Sequence, residues 1–298
     1  NATNQKETKV KILVQKLDSL GNTKGDLLEL DEVGSLGAKG LFSRKKLGGF
    51  SVMRSPNKKV FAVVRYDPVE EDQNKKMNVK VFSGALKKVW SGKIELDDKE
   101  KYYTVHDFKV DDSGCLYLLG KRWLTTEKIG LSGNTKTKIV KAKKAQPNFN
   151  YTLMAVNTLT NSTKEYRIDL KNNFITHIKF SFLPCQDSIQ LAGFYSNEPG
   201  DEIQGVFTTL INNAEKRIVH QKKKPFSKQF FKLFDEANSI NTLFKKTAEQ
   251  GSLKNFRLDN FVMKKDGSSI ITAEKYFVQV STSHLRDASG YLRTTRNY

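Results

Sequence analysis

Four histidines, His106, His177, His220 and His284, are the side chains best suited to proton transfer or metal ligation near neutral pH. No pair of them stands in an HxH or HExxH arrangement, so neither a strand face nor a helix turn delivers two imidazoles to one ion by local geometry. His106 and His177 each precede a hairpin of similar sequence, which leaves two readings open: convergence near a common axis, or hydrogen-bonded structural histidines. The acidic runs Val69–Asp72 and Asp97–Glu100 lack the alternating Asp/Asn, central glycine and terminal Glu of a calcium loop and read as surface loops. The run GSLGAKG (Gly34–Gly40) lacks phosphate-loop spacing, because Lys39 is followed by Gly40 and Leu41, and reads as a flexible connection. Cys115 and Cys185 are too few for a disulfide framework and are read as two small half-buried thiols, with a disulfide left open in an oxidising compartment. No catalytic constellation, metal site or cofactor follows from these residues, and the expectation is a chain that is not an enzyme.

Binding is better represented than catalysis. In PFSKQFFKLFDEANSINTLFKKTAEQG (Pro225–Gly251) the apolar residues Phe226, Phe230, Phe234 and Ala237 keep helical steps, with Phe231 beside them. Ile240, Leu243 and Phe244 begin a second stripe, with Asn238 and Ser239 as candidate N-caps and Gly251 as a stop. The spacing predicts a two-helix insertion over 225–251. Its Phe-rich face, with Leu243 and Phe244, either packs on the body of the protein or docks a protein partner.

The net charge of +19 asks for an explanation. Clustered cations gain affinity for phosphate by releasing counterions. Only 10 of the 51 basic residues are Arg, however, and Arg is the residue whose planar fork suits bidentate phosphate or guanine contacts. That balance argues against nucleic acid. It suits a lysine-rich solvated surface, with two patches that could meet an anionic surface: Lys222, Lys223 and Lys224, and Lys136, Lys138, Lys141, Lys143 and Lys144 in a presumed loop from Trp123 to Phe149.

The elements that would position these residues repeat along the chain. Four stretches share one plan: RSPNKKVFAVV (Arg54–Val64), FKVDDSGCLYLLGKR (Phe108–Arg122), KFSFLPCQDSIQLAGFY (Lys179–Tyr195) and FVMKKDGSSIITAEKYF (Phe261–Phe277). Each is an alternating strand, a turn of Ser, Pro, Asp, Asn or Gly, and a more continuous apolar strand. The second and fourth align without a gap, Phe108 on Phe261 and Gly114 on Gly267. Behind the first three hairpins come further strand pairs, such as MNVKVF with KVWSGKIEL, and YTLMAVN with KEYRIDL. Four strands per unit in up-and-down order predict an all-β fold, a β-propeller of four-stranded antiparallel blades with a short helical insertion. The units fall near 47–97, 103–170 and 174–222, with partial ones at 9–33 and 255–298, in one propeller-like domain spanning 1–298. The 38% apolar content and the 19 Phe suit such a core.

RSPNKKVFAVV resembles the Ser-Pro-Asp-Gly-Lys hairpin of TolB-like propeller repeats, with Asn57 and Lys58 standing where Asp and Gly are usual. The stretches LAGFYSNEPGDEIQGVFTTLI and LKNFRLDNFVMKKDGSSIITAEKYFV are similar to a group of propeller-like proteins exported by gliding and gut-dwelling Gram-negative bacteria, with the likeness strongest over 174–280. The resemblance implies a propeller in the periplasm or cell envelope and supplies no catalytic residue. The opening NATNQKETK has neither Met nor a basic-then-apolar leader, and the expectation is a chain that begins inside a longer, exported precursor. No window is apolar enough for a membrane span.

The leading functional expectation is a non-enzymatic interaction subunit of an envelope assembly, with an accessory or plug-like role in an outer-membrane secretion machine of type 9 as the specific form. The alternatives are an envelope enzyme or glycan-binding propeller with an axial pocket near Phe50, Phe108, Phe180 and Phe261, and a Lys-rich polyanion-binding protein.

Overall fold

A computed structural model describes residues 9–36, 46–69, 73–129, 135–143, 146–183, 188–200, 202–237, 253–264, 266–276, 281–286 and 292–297. They fall into two compact units, one from the residues up to Lys171 with Asn213–Ile218, the other from Asn172–Asn212 with the residues from Val219 onward.

The first unit opens with the antiparallel pair β1 (Val10–Val14) and β2 (Leu28–Val33), then the two-residue strands β3 (Ser35–Leu36) and β4 (Lys46–Leu47). Its first four-stranded sheet runs in sequence order through β5 (Gly49–Arg54), β6 (Val60–Tyr66), β7 (Asn74–Ser83) and β8 (Lys88–Lys99). A single 3-10 turn, Glu100–Tyr102, leads to β9 (Tyr103–Val110) and β10 (Leu116–Trp123). The chain then makes an excursion, the hairpin β11 (Thr125–Ile129) and β12 (Thr135–Ile139), before completing the second sheet with β13 (Phe149–Asn157) and β14 (Ser162–Ile168).

The second unit holds the sheet β15 (Phe174–Phe182), β16 (Ser188–Ser196), β17 (Gly205–Asn212) and β18 (Arg217–Pro225). Helix α1 (Lys228–Ala237) follows, then the pairs β19 (Phe256–Met263) with β20 (Ser269–Lys275) and β21 (Ser281–Arg286) with β22 (Leu292–Asn297). Three four-stranded antiparallel sheets in up-and-down order are propeller blades, and the fold is the all-β propeller class expected from the repeats.

Alternation explains the packing. On β6 and β7 one face carries Ala62, Val64, Met77, Val79 and Val81 into a core shared with Tyr103, Phe108, Val110, Leu116 and Leu118 of the next blade. The opposite face carries Val63 and Phe82 under Leu30 of β2, with Ile12, Val14, Phe50 and Phe61 around them. The β1–β2 pair therefore lies on the outer face of the first blade, buried apolar area holding it there.

Hairpin geometry accounts for the repeat. At Asp111–Cys115 and Lys264–Ser268 the loop holds three residues and ends on a glycine with positive φ, Gly114 (91°) and Gly267 (82°), which explains the gapless alignment of those two copies. The hairpin at Ser55–Val60 has one residue more, and its positive φ (62°) falls on Lys58, where a side chain is strained. Asn57 Oδ1 steadies this turn by accepting from the Lys59 amide at 2.9 Å and from Ser55 Oγ at 3.0 Å. Lys58→Gly is expected to raise stability by roughly 0.5–1 kcal/mol, read as a higher denaturation midpoint with an unchanged slope. A lower midpoint would contradict this assignment of strain.

Three first strands also share a bulge, which skips His106 in β9, Thr176 in β15 and Asp259 in β19. In the second unit Lys179 Nζ donates to the carbonyl of the bulged Asp259 at 2.5 Å, tying β15 to β19. One extra residue per strand bends the ladder and re-aims its side chains.

The segment between Trp123 and Phe149 corrects the sequence reading of a loop. TTEKI and TKTKI are rich in β-branched residues and alternate, so Thr125 pairs with Ile139 and Glu127 with Thr137. The lysines at 136 and 138 supply the polar positions of a strand, which disguised it as a basic loop.

Candidate functional site

The sequence candidates fall in three places. Lys222, Lys223 and Lys224 lie on β18, the outer strand of its sheet, exposed to solvent. Lysines there discourage a second sheet from pairing with the free edge. Lys223 is bonded to Asn173, and its ammonium stands 6.0 Å from the Tyr195 ring centre. Lys136 and Lys138 belong to β12, and Lys141 and Lys143 follow it, each exposed; the side chain of Lys136 and the whole of Lys144 lie outside the described residues.

The Phe-rich stretch is more informative. Ser227 caps α1, its Oγ accepting from the Phe230 amide at 3.1 Å, a signal present in the sequence as Ser followed by a helical apolar step. Phe231 is 4% exposed and packs with Phe194, Ile203, Leu253, Phe256 and Leu258. Phe226 and Phe230 stack at 4.3 Å between ring centres and sit half-buried beside that core. The side chain of Phe234, and Leu243 and Phe244 with the expected second helix, lie outside the described residues.

Between α1 and the sheets lies a cavity of about 280 Å³, wholly within the second unit. Phe194 and Val206 form one wall from β16 and β17, Ile271 and Ala273 another from β20, and Phe226 and Phe230 a third. Two backbone clamps brace its rim: Ile203 and Leu253 exchange hydrogen bonds at 2.7 and 2.8 Å, and the Phe226 amide donates to the Gln204 carbonyl at 2.9 Å. Every lining side chain is apolar, so the cavity has no proton donor, base or metal ligand of its own among the described residues. An engineered apolar cavity of about 150 Å³ binds benzene. The space here accommodates a two-ring system or a short acyl chain.

No family model and no curated protein matches the chain. One solved structure that is similar is a Pseudomonas aeruginosa periplasmic gluconolactonase, at 12% identity and a TM-score of 0.31, over 97% of this chain and 83% of that one. The expectation that the chain is not an enzyme is withdrawn on this finding, because the similar structure is a gluconolactonase; that activity is said of that protein, and none of its residues is carried over. The TolB-like resemblance stands on its hairpin motif alone.

Two of the histidines pack against rings, while His220 is exposed on β18 and the side chain of His284 lies outside the described residues. His106 meets Tyr151 edge-on at 5.1 Å and His177 meets Phe194 at 6.1 Å between ring centres. Among the described residues no three His, Cys, Asp or Glu gather as metal ligands; Cys115 is half-buried, and Cys185 lies outside the described residues. Of the four phenylalanines expected near an axial pocket, Phe108 packs into one core of the first unit and Phe50 against another, while Phe180 and Phe261 are buried in the second. No helix among the described residues is long and apolar enough to cross a membrane.

The cavity residues Phe194, Val206, Ile271 and Ala273 were not marked by the sequence. Each is an ordinary inward position of an alternating strand, and only the tertiary fold brings them to α1.

Proposed function

We propose that this chain is a cell-envelope propeller that takes a small organic molecule by its apolar portion, in the cavity walled by α1, β16, β17 and β20. The observation that carries this reading is the space of about 280 Å³ whose lining side chains, among the described residues, are all apolar. A close-packed interior leaves few voids larger than a water molecule, and a dry apolar void of this size gains dispersion and burial energy when filled by hydrocarbon. The inward turn of Phe226, Phe230 and Phe231 supports a wall of a pocket over a docking face. The envelope setting draws on the resemblance of the 174–280 segment to exported propellers. A secretion-machine role has only that resemblance behind it.

Ala273→Phe tests the site, since the added ring occupies the void from β20 while leaving the backbone of the strand unaltered. Titration with N-phenyl-1-naphthylamine, whose naphthalene is the two-ring system and whose phenyl group extends through the open side, is expected by fluorescence to give one saturable site per chain whose affinity falls at least tenfold in the variant, with the thermal midpoint retained or raised. Equal affinity in the two proteins would overturn the assignment.

A further inference from the structure

The second blade presents a different kind of site on one face of β10 and β13. Lys121 and Trp123 of β10 pair with Tyr151 and Phe149 of β13, so the four side chains stand together. The Lys121 amine lies 3.7 Å from the centre of the Phe149 ring and 4.2 Å from that of Trp123. Trp123 and Phe149 meet edge-on at 5.5 Å, Phe149 and Tyr151 at 5.9 Å, and Tyr151, 2% exposed, closes the floor. Among the described residues no carboxylate pairs with Lys121, while Arg122, on the opposite face of the same strand, is held by Glu165 at 2.8 Å. Lys121, Trp123 and Phe149 are half-buried, so the slot is open at one side to a reagent.

We propose that Lys121 is a covalent capture site for an aldehyde or ketone bearing an apolar or aromatic group, which it holds as an imine. The neutral amine adds its lone pair to the carbonyl carbon, giving a carbinolamine. The carbonyl oxygen then leaves as water with the two amine protons, and a C=N bond remains. No oxidant, reductant or metal enters this balance. Trp123 and Phe149 supply the surface on which the substituent of the carbonyl compound stacks. Two contributions oppose each other at the amine. Ring faces attract an ammonium; removal from water without an anion disfavours it. Burial lowers the Lys121 pKa from its ordinary value of 10.5, which keeps more of the reactive free base at neutral pH.

The test is competitive labelling of the folded chain with limiting benzaldehyde and cyanoborohydride at pH 7, followed by peptide mapping. Lys121 is expected to react at least tenfold faster than the median lysine, and to lose that lead in urea. Phe149→Leu, which keeps the site apolar but removes a stacking ring, is expected to cut the lead severalfold. Labelling of Lys121 at or below the median rate in the folded protein would overturn the proposal and leave a static cation resting on two rings.

Discussion

Replacing Asp31 by alanine is expected to lower the unfolding free energy by about 2–3 kcal/mol, a large share of a domain's usual margin. Asp31 sits on β2 with 5% of its side chain exposed, and its Oδ1 faces Arg65 at 3.1 Å and Lys80 at 3.0 Å. Each cation also holds the backbone of the same strand: Lys80 donates to the Leu30 carbonyl at 2.9 Å and Arg65 to that of Glu32 at 3.2 Å. Arg65 further donates to Asp67 at 2.9 Å, so the carboxylate is one node of a network that fastens the β1–β2 pair to the first blade. Removing one member of a fully buried pair costs about 3–5 kcal/mol. The figure here is smaller because Arg65 and Lys80 keep 26% and 27% side-chain exposure and can turn toward water. Urea unfolding of Asp31→Ala beside the parent chain reads the difference, and a midpoint shift below the error of the fit would show that the network contributes nothing net.

Alkaline pH should unfold this protein steeply, through two buried phenols. Burial first, and then the neighbouring Asp111 carboxylate, push the Tyr117 hydroxyl far above its ordinary pKa of 10.0; burial does the same for Tyr151. The unfolded chain releases these protons near pH 10 while the folded chain retains them. Stability is thus fully present below pH 10 and falls as the pH rises above it, by about 1.4 kcal/mol per pH unit for each group. Tyr117 is fixed by donating to Asp111 Oδ2 at 3.0 Å and accepting from Asn213 Nδ2 at 2.7 Å, so its replacement also removes hydrogen bonds. Tyr151 offers the cleaner test. Tyr151→Phe is expected to gain about 1 kcal/mol on the parent chain between pH 10 and pH 11, where the unfolded phenol is already half ionised at the lower limit, measured as the change in denaturant midpoint. Parallel pH profiles for the two proteins would show that Tyr151 ionises as freely folded as unfolded.

Local signals were legible in the sequence and long-range ones were not. The hairpins at Arg54–Val64 and Phe108–Arg122 showed themselves because alternation and turn residues act within a dozen positions, and the strands β5, β6, β9 and β10 lie where that pattern placed them. Strand pairs such as MNVKVF and YTLMAVN were visible for the same reason. The β11–β12 hairpin was hidden because its polar positions are lysines, which also mark loops. The Asp31, Arg65 and Lys80 network was invisible, since its members come from three strands far apart in sequence and each alone is an unremarkable surface-type residue. The slot around Lys121 was obscured by the break placed at Trp123: with the segment to Phe149 read as a loop, nothing suggested that those two rings face each other across a ladder. For the cavity, the Phe-rich helix pointed to one wall. The other two needed the chain to fold, because inward positions on a strand do not announce whether a neighbour fills the space above them.

Methyl NMR of the Ile, Leu and Val-labelled chain, titrated with N-phenyl-1-naphthylamine, tests the central claim most directly. The account predicts saturable shifts confined to Ile203, Val206, Leu253 and Ile271, with Leu116 and Leu118 of the first-unit core unmoved. Saturable shifts centred elsewhere, or none at these four methyl groups, would contradict it.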